Sequence, residues 1–169
     1  MSDAETEKLA KKFLEACKQN SMMAATAESC TGGLIIAAMT DIAGSSAMVD
    51  RGFITYSNKA KMEMLGVLEM TLDTHGAVSA QTAGEMAKGA LHHSHADIAL
   101  AVTGIAGPDG GSKEKPVGLV WFGLARKDQP VHVEKRLFGN LGRDPIRRET
   151  VKHALQMGIE ALSVPDVRP

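Results

Sequence analysis

The chain has 169 residues, 19 of them basic and 20 acidic, a net charge of -1 and a hydrophobic content of 44%. That length suits a single domain, 1–169, and the composition excludes a disordered chain. With no basic block, nucleic acid is not an expected partner, and with no apolar run longer than residues 34–39 neither is a membrane.

Ser2 and Glu5 have capping-box spacing, and Leu9, Phe13 and Cys17 recur at helical intervals, which predicts a first helix to about Lys18. Residues 22–27 form a short apolar run read as a strand. A polar turn, Glu28-Ser29-Cys30-Thr31-Gly32-Gly33, leads into a buried helix over 34–40 that Gly44 closes. Residues 49–56, rich in β-branched and aromatic types, read as a second strand. Ser57-Asn58 is a cap for a short helix ending before Gly66. Ser79 caps a longer helix with Ala83, Met86, Ala87, Ala90 and Leu91 as its buried stripe. Residues 98–102 are a third strand, running into a loop with four glycines between Thr103 and Gly111. Residues 117–125 and 131–138 suggest a hairpin around Lys127-Asp128-Gln129-Pro130, and Asp144-Pro145 opens a last helix to about Leu162. Helices interleaved with strands and a late hairpin predict an α/β domain: a mixed, mostly parallel sheet covered by helices.

Polar or glycine-rich segments at 27–33, 44–61, 103–111 and 139–147 adjoin strand ends or helix starts, where α/β folds place ligand sites. The loop from Thr103 to Gly111 lacks the P-loop register, yet its amides suit an anion as well as a plain surface turn. Arg143 and Arg147, four apart, could form a phosphate fork or a solvated helix face. Ser45-Ser46 and Lys61 would make a serine–lysine pair if the serine turn folds back onto the end of the second strand, near Tyr56. Pattern alone favours the plainer reading, in which both are exposed. Cys30, at a helix start, is a rival nucleophile without a recognisable histidine partner. Cys17 and Cys30 lack metal-ligand spacing, and His92, His93 and His95 lack a carboxylate or cysteine partner, so no metal is expected. Free thiols and a charged N-terminus without an apolar core fit a cytoplasmic protein.

The segments Ala27-Glu28-Ser29-Cys30-Thr31-Gly32-Gly33, Gly44-Ser45-Ser46, Gly52-Phe53-Ile54-Thr55-Tyr56-Ser57-Asn58 with Lys61, Gly76-Ala77-Val78-Ser79 and the 103–111 loop together resemble the CinA C-terminal domain family over about residues 5–162. The stand-alone members of that family are nicotinamide-mononucleotide deamidases. The resemblance therefore implies hydrolysis of that nucleotide to nicotinate mononucleotide and ammonia, in pyridine-nucleotide salvage and without a cofactor. It also implies a serine–lysine dyad carried onto Ser46 and Lys61, with Tyr56 relaying the proton or orienting the lysine. Ser29, Thr103 or loop amides would hold the oxyanion, and Arg143 and the glycine loop the phosphate. Thr31, Gly32, Gly104, Gly107 and Gly110 would complete the substrate contacts. A homodimer is expected. Two departures stand out: there is no room for the N-terminal domain of longer members, and Ala47-Met48 replaces an expected bulky aromatic. The competing expectation is a non-catalytic nucleotide-binding module, in which Lys61 would be exposed and protonated.

Overall fold

The computed structural model describes residues 3–163. Five strands form one sheet in the order β2-β1-β3-β4-β5. They are β1 (Ala24–Glu28), β2 (Val49–Ile54), β3 (Ile98–Gly104), β4 (Leu119–Arg126) and β5 (His132–Leu137). β1 pairs in parallel with β2 and β3, β4 runs antiparallel to β3, and β5 runs antiparallel to β4. Four strands therefore share one direction and β4 alone opposes them, as the mixed, mostly parallel reading requires.

Among the described residues six α-helices cover the two faces: α1 (Ala4–Gln19), α2 (Leu34–Thr40), α3 (Asn58–Leu65), α4 (Glu69–His75), α5 (Ala80–His92) and α6 (Arg143–Ser163). The alternation along β3 explains the two layers, because successive strand side chains point to opposite faces. Ile98, Leu100 and Val102 join Phe13, Ile35, Phe122 and Leu155 in a bulky core under α1, α2 and α6. Ala99 and Ala101 face the other way, into a smaller core with Leu65, Met86 and Ala90 under α3 and α5. The small residues on that face let α5 lie almost on the strands. A Cβ at Gly123 would come within 2.3 Å of the Ala83 carbonyl oxygen, so only glycine fits there.

Local signals account for most helix ends. Ser57 and Ser79 cap α3 and α5 by accepting from the amides of Ala60 and Thr82, and Gly66 ends α3 with a φ of 72°. The capping box expected from Ser2 lies outside the described residues, and the cap of α1 is Asp3, whose carboxylate accepts from the Thr6 amide. The sequence reading missed α4. It has no side-chain cap, buries only Thr71 and Leu72, and leaves Met70 exposed, so its periodicity is faint. Among the described residues no helix is long and apolar enough to cross a membrane.

Candidate active site

Parallel pairing of β1 with β2 sets Glu28 opposite Ile54, so both strands finish at the same edge of the sheet. Ser29 leaves β1 there, Thr55 and Tyr56 leave β2 there, and β3 ends beside them at Thr103 and Gly104. The first turns of α3 then bring Lys61 back over this edge. A cavity of 260 Å³ opens between them, lined among others by Ser29, Tyr56, Lys61, Thr103, Gly104 and Arg143.

Lys61 is the unusual residue of the fold, because its whole side chain is buried, 1% exposed, with no carboxylate among its recorded partners. Its Nζ lies 2.9 Å from Ser29 Oγ, 3.0 Å from the Thr55 carbonyl oxygen and 3.3 Å from that of Tyr56. Burial withholds water from the ammonium and pulls its pKa down to about 8, against a small opposing influence from the Cys30 sulfur. The three contacts suit both protonation states. A neutral amine has two protons for the two carbonyls and one lone pair, which faces the Ser29 hydroxyl. At pH 7 a pKa near 8 leaves a cost of roughly 1 kcal/mol to reach that neutral state, against roughly 5 kcal/mol for an ordinary lysine.

The expected pairing of Ser46 with Lys61 does not form. Ser46 sits exposed in a single 3₁₀ turn, Ser45–Ala47, that precedes β2, and the neighbouring Met48 carbonyl accepts from the amide of Ala24, the first residue of β1. It therefore lies at the opposite end of the strands, and the six-residue length of β2 at about 3.3 Å per residue puts roughly 20 Å between that end and the Thr55 edge. Ser29, expected only as a supporting residue, holds the place beside the lysine.

Other expected residues fall near the site with altered partners. The Tyr56 ring is exposed and its hydroxyl accepts from Arg143 at 3.2 Å, while its backbone carbonyl accepts from Lys61. Arg143 also donates to the Gly107 carbonyl at 2.8 Å, tying α6 to the glycine loop at the mouth of the cavity. Thr103 Oγ1 donates to the Ala77 carbonyl at 2.7 Å, which commits its proton. Thr31 is fully buried with its hydroxyl bonded to Glu28, and the exposed Gly32 turns the chain with a φ of 59°. Gly104 lines the cavity, whereas Gly110 lines a separate cleft with Pro108, Ser112 and Asn140.

Arg147 does not join Arg143 in a fork. Its guanidinium donates to the carbonyls of Cys30 and Thr31 at 3.0 and 3.1 Å. The Cys30 thiol is buried, and desolvation pushes its pKa up to about 12, the opposite of what a nucleophilic thiolate needs. Sequence reasoning missed Glu28 altogether. A carboxylate closing an apolar strand, just before a helix whose N-cap position is a glycine, was the signal that could have exposed it.

The CinA C-terminal domain family matches residues 6–162. The chain is 52% identical over 159 residues to the nicotinamide-nucleotide amidohydrolase PncC of Enterobacter agglomerans, covering 94% of this chain and 96% of that one. It is 49% identical to the PncC of Escherichia coli K12, with 92% and 94% covered. Among solved structures, the competence/damage inducible protein CihA of Agrobacterium tumefaciens superimposes with a TM-score of 0.93 at 52% identity, covering 97% of this chain and 99% of that one.

Proposed function

The chain belongs to the CinA C-terminal domain family, and from that membership we propose that it is a nicotinamide-nucleotide amidohydrolase, converting nicotinamide mononucleotide and water to nicotinate mononucleotide and ammonia with Ser29 as nucleophile and Lys61 as base. The observation that carries the reading is the buried, carboxylate-free contact between Lys61 Nζ and Ser29 Oγ at the C-terminal edge of the sheet. Ser29 follows a strand and precedes a helix, the strand–turn–helix placement that presents a nucleophile at the top of an α/β sheet.

In this reading neutral Lys61 takes the Ser29 hydroxyl proton as Oγ attacks the carboxamide carbon. The ammonium so formed donates that proton to the departing amine, and ammonia leaves an acyl-serine ester. Water attacks the ester with Lys61 again accepting the proton, and collapse returns the serine and releases the carboxylate. Because Thr103 already donates to Ala77 and Ser29 is the nucleophile, the developing oxyanion falls to backbone amides of the surrounding turns. Arg143, exposed at the mouth, meets the nucleotide phosphate. A cavity of 260 Å³ lies at the small end of ligand sites, enough for the pyridine carboxamide, with ribose and phosphate extending toward Arg143.

A module that merely binds nucleotide would have no use for a buried lysine with a depressed pKa, and would keep it exposed. The test is incubation of the purified protein with nicotinamide mononucleotide, following ammonia and nicotinate mononucleotide together. Stoichiometric appearance of both supports the proposal; nucleotide that binds but is never consumed contradicts it.

A further inference from the structure

We infer that Glu28 is a positioning residue for Ser29: its buried carboxylate ties the end of β1 to the start of α2 and so fixes the turn that carries the serine. The inference rests on the reading of Ser29 as the nucleophile.

Glu28 is fully buried, and no lysine or arginine is among its recorded partners. Its Oε1 accepts from Thr31 Oγ1 at 2.7 Å, from the Ile35 amide at 2.9 Å and from the Gly33 amide at 3.2 Å. Its Oε2 accepts from the Ile36 amide at 2.9 Å and from Thr26 Oγ1 at 3.0 Å. Five donors converge on one carboxylate, which offers about four lone-pair sites, so its accepting capacity is fully used. The N-cap of α2 is Gly33, which has no side chain, so Glu28 reaches forward to supply the cap that a serine or aspartate would ordinarily give. Negative charge is favoured there, at the positive end of the helix.

The tie encloses Ser29. Its amide donates to the Val102 carbonyl at 3.1 Å, and its carbonyl accepts from Gly32 at 3.1 Å. The side chain just before it is bonded to residues 31, 33, 35 and 36. In the same turn Arg147 holds the carbonyls of Cys30 and Thr31. Amides are fixed by a carboxylate and carbonyls by a guanidinium, so the turn has little freedom to move Ser29 Oγ away from Lys61.

The isosteric change Glu28→Gln tests this directly, because the new amide group has no good place. Set at the Oε1 position its protons meet the Gly33 and Ile35 amides; set at the Oε2 position they meet the Ile36 amide. Either way donor faces donor, and the turn must open. Thr31→Val removes one bond and is the milder variant.

The experiment measures kcat and KM for amide hydrolysis, the melting temperature, and the rate at which a fluorophosphonate labels Ser29. In labelling, Oγ bonds to phosphorus, fluoride leaves, and the hydroxyl proton passes to Lys61. Glu28→Gln is expected to lower kcat by about 10–100-fold with KM held within about 3-fold, since displacements near 1 Å cost on that order. Labelling should slow in step, and Thr31→Val should show the same split at a few-fold. A variant that melts earlier but keeps wild-type kcat and labelling would show that Glu28 only stabilises the fold, and the inference would be wrong. If Glu28→Gln does not fold, Thr31→Val decides, and unchanged labelling overturns the idea. Wild-type protein that is labelled but releases no ammonia would refute the substrate reading alone, leaving the labelling comparison to judge Glu28. Wild-type protein that is not labelled at Ser29 would overturn both.

Discussion

The dependence of rate on pH follows from the burial of Lys61. If the base is a lysine with a pKa of about 8, the neutral fraction is about 0.09 at pH 7, about 0.5 at pH 8 and about 0.9 at pH 9. The value of kcat/KM should therefore rise roughly tenfold between pH 7 and pH 9 and then level off. A lysine left near 10.4 gives a different curve, climbing about a hundredfold over the same interval and continuing past pH 9. Ammonia release under subsaturating nicotinamide mononucleotide, in buffers of constant ionic strength, measures the curve. Lys61→Arg supplies the control, since a guanidinium keeps the charge and cannot deprotonate, so activity should be lost at every pH. A flat profile across pH 7–9, or one still rising tenfold per unit beyond pH 9, would refute Lys61 as the base tuned by burial.

Further outcomes follow from single contacts. Arg143→Ala should raise KM for the nucleotide by about 10–100-fold, the usual cost of losing a charged hydrogen-bond donor, while any activity on phosphate-free nicotinamide is spared; an unchanged KM contradicts the phosphate role. Cys30→Ala should keep activity within about 3-fold, because a buried thiol with a pKa near 12 supplies no thiolate at neutral pH; loss of turnover with the fold intact would restore the cysteine as a candidate. Gly123→Ala pushes a methyl into the Ala83 carbonyl and should cost about 1–3 kcal/mol, seen as a melting temperature lower by roughly 2–12 °C; a neutral effect would mean that α5 sits farther from the sheet than described.

Much of the architecture could be read from periodicity and caps. The helix over residues 34–40, the serine caps at Ser57 and Ser79 and the late hairpin all stand where pattern placed them. The site was harder to read. Lys61 and Arg143, expected as base and phosphate ligand, both line the cavity, whereas Ser46, expected as the nucleophile, does not. The family resemblance carried the serine onto Ser46, fifteen positions before the lysine, whereas Ser29 is thirty-two positions away and meets it only through the parallel register of Glu28 against Ile54. Register is a tertiary property, and nothing within either strand announces it. Glu28 escaped notice for a related reason. Most of its partners lie in the following turn and the first turn of α2, and its burial follows from the helices that close over β1. The α4 helix was lost because so little of it is buried.

Ser29, not Ser46, is the proposed nucleophile beside Lys61. The most direct measurement sets Ser29→Ala and Ser46→Ala beside the wild-type protein, each purified free of metal, and follows ammonia released from nicotinamide mononucleotide at pH 8–9. Abolished release in Ser29→Ala, with Ser46→Ala within a few-fold of wild type, is the predicted result. Release that survives in Ser29→Ala and disappears in Ser46→Ala would contradict the account.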